Sequence, residues 1–155
     1  MRKLALFLAL AVLVLVAASS ALGAGATNST DHVFGFTFSE PDVNPCSGAT
    51  GTSTQTVNAV EHVTTLADGT SHETFTATGT FKFIPNDPNQ PSFSGHSTFW
   101  DGENVTSQTF TATAIFAVAL VGSDGSHLSA HEVAHVTITP SGMTFSFDKP
   151  TLRCP

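Results

Sequence analysis

Apolar and polar residues alternate along most of this chain, and the alternation is cleanest between Phe110 and Thr139. Phe110, Ala112, Ala114, Phe116, Val118 and Leu120 share one parity, with Thr111 and Thr113 on the other. This is the period-two pattern of a half-buried strand. Beyond Gly-Ser-Asp-Gly-Ser at 122–126, Leu128, Ala130, Ala134, Val136 and Ile138 share one parity, and His127, His131 and His135 take the other. A one-residue slip would turn every side chain over, so the connection must bring both apolar sets to one face. A two-residue turn at Ser123-Asp124 would set Phe116 beside His131. A three-residue loop, Ser123-Asp124-Gly125, with Gly125 left-handed, instead pairs Leu120 with Leu128, Val118 with Ala130 and Ala112 with Val136.

The same alternation predicts further strands over about 32–39 (Phe34, Phe36, Phe38), 54–66, 70–84 and 92–100. Asp101-Gly102 is expected to turn the chain into a strand starting near Val105. Met143, Phe145 and Phe147 mark another strand after Thr139-Pro140-Ser141-Gly142, and a short one is expected at 151–153. Proline-rich and polar stretches around Cys46 and at 85–91 are irregular loops. No segment of the mature chain carries a helical period.

Pairing 54–66 with 70–84 through a second three-residue loop, Ala67-Asp68-Gly69, aligns Val57, Ala59 and Val63 with Phe75, Ala77, Phe81 and Phe83 on the inner face. Glu61 and Glu73 fall on that face too, diagonally across the two strands at roughly 7 Å. A two-residue turn at Asp68-Gly69 would turn His62 inward instead. Glu132 shares the inner parity of its strand, and if Ile138 pairs with Met143, Lys149 lies opposite it. Unpaired buried carboxylates are costly. Glu61, Glu73, Phe75, Phe116, Glu132 and Lys149 therefore define a candidate pocket with a polar end and a phenylalanine-lined end. Such a pocket suits a small apolar molecule with a polar or cationic head. The alternative is that these glutamates are solvated at a barrel mouth and the Glu132–Lys149 pair is structural. Ala59 against Ala77 and Val57 against Gly79 leave either space or a tight taper.

His131-Glu132-Val133-Ala134-His135 matches the HExxH signature of zinc metalloproteases over five residues. That motif binds zinc on a helix, where its histidines stand one turn apart and the Glu serves as general base. On a strand the two histidines stand roughly 13 Å apart, and no third ligand follows at a suitable spacing. A zinc hydrolase is thus the lesser reading; no catalytic residue and no cofactor is assigned. His62 and His72 are the weak candidates for a surface metal, and Trp100, near the expected turn, for a rim contact. Asn28-Ser29-Thr30 and Asn104-Val105-Thr106 match glycosylation sequons.

Composition adds compartment. Residues 1–26 carry Arg2 and Lys3, an apolar run from Leu4 to Ala18, and Ala24-Gly25-Ala26. These are the parts of a signal peptide, and the run is short for a membrane span. The expectation is a secreted single domain over 27–155. It keeps Lys82, Lys149 and Arg153 against twelve acidic residues, a net charge of about −9. No phosphate-neutralising patch exists in such a chain, which argues against nucleic acid and anionic membrane surfaces as partners. Cys46 and Cys154, an even count in an oxidising compartment, are expected to form one disulfide.

Seven or eight strands joined in sequence by short turns favour an antiparallel up-and-down barrel, with a two-sheet sandwich as the alternative. In strand count and spacing the chain resembles the lipocalins and their calycin relatives. It departs from their G-x-W mark, because the first strand has Phe34-Gly35-Phe36, so no functional residue is carried over. The N-P-C … G-S-D-G-S … F-D-K … C layout is similar to that of uncharacterised exported bacterial proteins. The leading functional expectation is a secreted barrel that binds a small, partly apolar ligand; the alternative is a ligand-free structural or surface-interaction module.

Overall fold

The computed structural model describes residues 25–148 and 150–154. Residues 1–24 of the expected signal peptide lie outside them. The described chain is all-β and antiparallel: β1 (Thr27–Val43), β2 (Thr50–Thr65), β3 (Ser71–Pro85), β4 (Phe93–Val105), β5 (Phe110–Gly122), β6 (His127–Thr139), β7 (Gly142–Asp148) and β8 (Thr151–Arg153). Strands β1 to β7 follow one another in a meander, and β8 pairs with β6. No described helix is long and apolar enough to cross a membrane.

Both hairpin registers expected from the alternation are present. Leu120 pairs with Leu128, Val118 with Ala130 and Ala112 with Val136. Ala59 pairs with Ala77, and Val57 with Gly79. The two loops are built alike. Gly69 and Gly125 sit at φ 83° and 84°, a region open to glycine at no steric cost. The Asp68 and Asp124 carboxylates each accept from the backbone N–H two residues on, at 2.9 and 3.0 Å. These are Asx turns. They hold both carboxyl groups below the ordinary range, through bonds from Thr70 and Ser126.

Three expectations are corrected. Asp101-Gly102 does not turn the chain: β4 runs on to Val105, and the reversal is at Thr106–Thr109. There the Thr106 hydroxyl accepts from the N–H groups of Gln108 and Thr109, supplying without glycine what a turn requires. Gly102 has a different use, since a Cβ there would strike the Trp100 indole. Trp100 thus lies on the outer face in mid-strand rather than at a rim. Secondly, the Phe34-Phe36-Phe38 series is split by a bulge between Val33 and Phe36, with Gly35 at φ 62°. Phe34 stacks on His32, whereas Phe36 packs with Phe38. Thirdly, the sheet does not close. β7 takes Ala134–Thr139 of β6 and β8 takes Ser129–His131. Because β5 holds the other edge of β6, the last two strands share its one remaining edge, and among the described residues neither forms a ladder with β1.

The sheet is nevertheless strongly coiled. Six ladders separate β1 from β8, a span of roughly 29 Å if laid flat. Yet Cys46, just past β1, and Cys154, just past β8, form a disulfide with Cα atoms 5.5 Å apart. Such a bond is compatible with an extracellular setting. Glycines on the inner face permit the bend: a Cβ on Gly79 would strike the Thr56 carbonyl, and one on Gly95 the Ala119 carbonyl. The row of Val57 against Gly79 is therefore a place of close backbone approach. Burial follows the coil. Phe83, Phe93, Val118, Leu120 and Leu128 form the core at the disulfide end, with Cys46, Phe81, Phe116 and Ala130 packed on it. At the other end the edges bear exposed apolar side chains.

Candidate functional site

Strand parity sorts the titratable residues by face. All seven histidines fall on the outer parity, and the strand carboxylates on the inner one. Five of these, Asp31, Glu61, Glu73, Asp101 and Glu103, gather at the end of the sheet away from the disulfide. Along one cross-strand row Asp31 pairs with Glu61, Glu61 with Phe75 and Phe75 with Asp101. In the adjoining row Val63 pairs with Glu73, and Glu73 directly with Glu103. Side chains so placed are about 5 Å apart at Cβ, and like charges there repel.

The carboxyl groups respond by holding protons. Glu73 is pushed up to about 7 by partial burial, by a hydrogen bond with Glu61, and by the charges of Glu61, Glu103 and Asp101. Glu103 is likewise pushed up to about 7, by partial burial and by the charge and hydrogen bond of Asp101. Burial also raises Asp101, against the opposing bonds from Glu103 and the Gly102 N–H. Near neutrality Glu73 and Glu103 therefore hold protons part of the time, Glu73 in its bond with Glu61 and Glu103 in its bond with Asp101. Neither described cation is at hand, because Lys82 and Arg153 lie on the outer parity.

One row nearer the core the inner face becomes aromatic. Ala59, Ala77, Phe99, Phe116 and Glu132 follow one another across β2 to β6. The Phe75 and Phe99 rings meet at 6.0 Å between centroids, tilted by 59°. Of the residues expected to line a pocket, Glu61, Glu73, Phe75, Phe116 and Glu132 thus share one face, with Glu132 beside Phe116. Lys149 lies outside the described residues. The register that set it opposite Glu132 starts as expected, with Ile138 on Met143. It then shifts by one at a bulge between His135 and Val136.

Sequence reasoning missed Asp101 and Glu103, the two carboxylates that complete the cluster. Reading Asp101-Gly102 as a turn removed both from the strand. The available signal was the parity of Phe93, Ser97 and Phe99, which continues through 101 and 103.

The other candidates are placed elsewhere. His131, Glu132 and His135 lie on a strand, with both histidines on the face opposite Glu132. That arrangement lacks the shared side which metal and base require. His135 Nδ1 pairs with the Thr113 hydroxyl at 2.7 Å. His62 and His72 are diagonal neighbours on the outer face, where Nδ1 of His62 bonds Thr30 and Nδ1 of His72 bonds Asn104. No group of three or more metal-binding side chains occurs among the described residues. Two open hollows, of about 420 and 270 Å³, are at the disulfide end around Thr50 and Asn86 and around Cys46 and Phe93. None of the expected pocket residues lines either hollow. No family model, curated protein or solved structure matches the chain.

Proposed function

We propose that the concave face of this coiled sheet binds small amphiphiles with a cationic head, in a secreted protein of the loosely lipocalin-like kind. One observation carries the reading: Glu61, Glu73, Asp101 and Glu103 converge beside Phe75, Phe99 and Phe116. A cation seated among the four carboxylates displaces the protons of Glu73 and Glu103 and relieves the mutual repulsion. The phenyl rings would cover the apolar tail and favour ammonium by their electron-rich faces. The test is calorimetric titration with dodecyltrimethylammonium below its micelle concentration, with dodecyl sulfate as the anionic counterpart. Saturable binding is expected at about pH 8, weakening toward about pH 5 as Glu73 and Glu103 take up protons. E73Q/E103Q should abolish it. Equal affinity for the two detergents, or binding indifferent to the double variant, would defeat the reading.

A second reading has its own support. The exposed apolar edges, among them Val33, Phe36, Met143 and Phe145, favour a surface that engages other chains.

A further inference from the structure

The first strand is the long free edge of this sheet. β1 spans 17 residues and pairs only with β2, so its second row of backbone N–H and C=O groups has no strand partner among the described residues. Such an edge is a template for another strand, and proteins normally shorten it, charge it or cover it. Here it stays long and carries apolar side chains: Val33 is 46% exposed and Phe36 56%. On the other lip of the open seam, Met143 and Phe145 of β7 are 61% and 58% exposed. Their ladder partners, Ile138 and Val136, share the inner parity with Val33 and Phe36.

The inner positions of β1 have an ordered chemistry. From the N-terminal end they are Thr27, Ser29, Asp31, Val33, Phe36, Phe38, Glu40 and Asp42, the bulge at Gly35 changing the parity midway. The apolar stretch Val33, Phe36 and Phe38 is flanked by acidic residues, Asp31 on one side and Glu40 and Asp42 on the other. It selects among occupants. In an antiparallel pair of two β1 strands centred on the apolar stretch, Asp31 of one copy would face Glu40 of the other, at both ends of the pair. Like charges directly opposite are destabilising, and the whole mature chain is acidic, so a second copy is disfavoured. A strand with Lys or Arg at both ends and β-branched or aromatic residues between them meets β1 with opposite charge and matching apolar positions. Because the pattern is nearly symmetrical, it does so in either direction.

We infer that β1 is a docking edge for an extended basic segment of another protein. The segment would add to the sheet beside β1 and lay its apolar side chains into the open seam. Backbone hydrogen bonds supply affinity in such an arrangement, and alternate side chains supply specificity. Asp31 faces Glu61 across the β1–β2 ladder, but Val33, Phe36 and Glu40 pair with none of the four clustered carboxylates, so E73Q/E103Q separates this site from the amphiphile site.

The probe is a synthetic peptide of about ten residues, with Lys at its terminal inward positions, Val at the central ones and Thr outward. One control replaces Lys by Glu; another has N-methylated backbone amides along the hydrogen-bonding edge. Binding is followed by fluorescence anisotropy, and its location by amide hydrogen exchange. Saturable binding is expected, with exchange slowed between Asp31 and Glu40. Both controls should fail to bind, and D31N/E40Q should weaken binding by about tenfold. Four results would overturn the inference: no saturation up to about 1 mM, binding without protection of β1, binding of the N-methylated peptide, or β1 protection that grows with protein concentration alone alongside a dimeric mass. The last would make a second copy the occupant. Failure of the peptide while dodecyltrimethylammonium still binds would remove the docking edge and leave the amphiphile site intact.

Discussion

Replacing both cysteines, C46S/C154S, tests the coil directly. The bond closes a segment with a sequence separation of 108 residues. In the chain-entropy account, that constraint on the unfolded state stabilises the fold by about 4.8 kcal/mol at 25 °C. For a domain of this size the unfolding entropy is about 0.27 kcal/mol/K, so the loss corresponds to a fall of about 18 °C in the midpoint. The folded side points the same way. Cys46 packs on the cluster of Phe83, Phe93, Val118, Leu120 and Leu128, and no ladder joins β1 to β6, β7 or β8. The disulfide is therefore the covalent tie across an otherwise open seam. Thermal melts by circular dichroism would compare the oxidised parent, the parent under reductant and the double variant. The two forms lacking the bond should melt together, well below the oxidised parent. A fall of less than about 3 °C would refute the reasoning, showing that apolar packing alone holds the coil and that the loop-entropy term is offset elsewhere.

Two further outcomes follow from the same geometry. Glu73 and Glu103 hold protons up to about 7 when folded but ordinary carboxyls release them near 4.5. The folded state thus binds more protons between these values, so stability is full below about pH 4.5 and is lost as pH rises through 7. E73Q or E103Q should raise the midpoint at about pH 8, by the equivalent of about 1 kcal/mol once solvent screening is allowed for. Neither should change it near pH 4.5; a midpoint that climbs from pH 5 to 8 in the parent would contradict this. At the bend, Gly79→Ala should cost about 1–3 kcal/mol in urea unfolding, because its Cβ meets the Thr56 carbonyl. The exposed neighbour Thr78→Ala should stay within about 0.5 kcal/mol, and equal effects at the two positions would deny the close approach.

Much of this arrangement was legible in the residues. Where a glycine fixed a three-residue loop and apolar residues alternated on both sides, register followed at once, as in β2–β3 and β5–β6. Glu61 and Glu73 were placed on one face by that logic. The readings that failed did so where one local signal stood in for a distant one. Asp101-Gly102 carries strong turn chemistry, but Gly102 serves the Trp100 ring on the same strand face. Phe34, Phe36 and Phe38 alternate in sequence, but the bulge at Gly35 puts Phe34 on the other face from its neighbours.

The sequence by itself determined strand content, the two glycine-based hairpins, the face of most side chains and the pairing of the two cysteines. These are local or two-strand properties, set by side-chain period and turn sterics. Tertiary structure decided that the sheet coils without closing, that β7 and β8 share one edge of β6, and that Asp101 and Glu103 join Glu61 and Glu73. Closure depends on whether the first and last strands find each other, a contact across more than a hundred residues to which no local period is sensitive. The raised proton affinity of Glu73 and Glu103 depends in turn on three neighbouring strands, which no single hairpin contains.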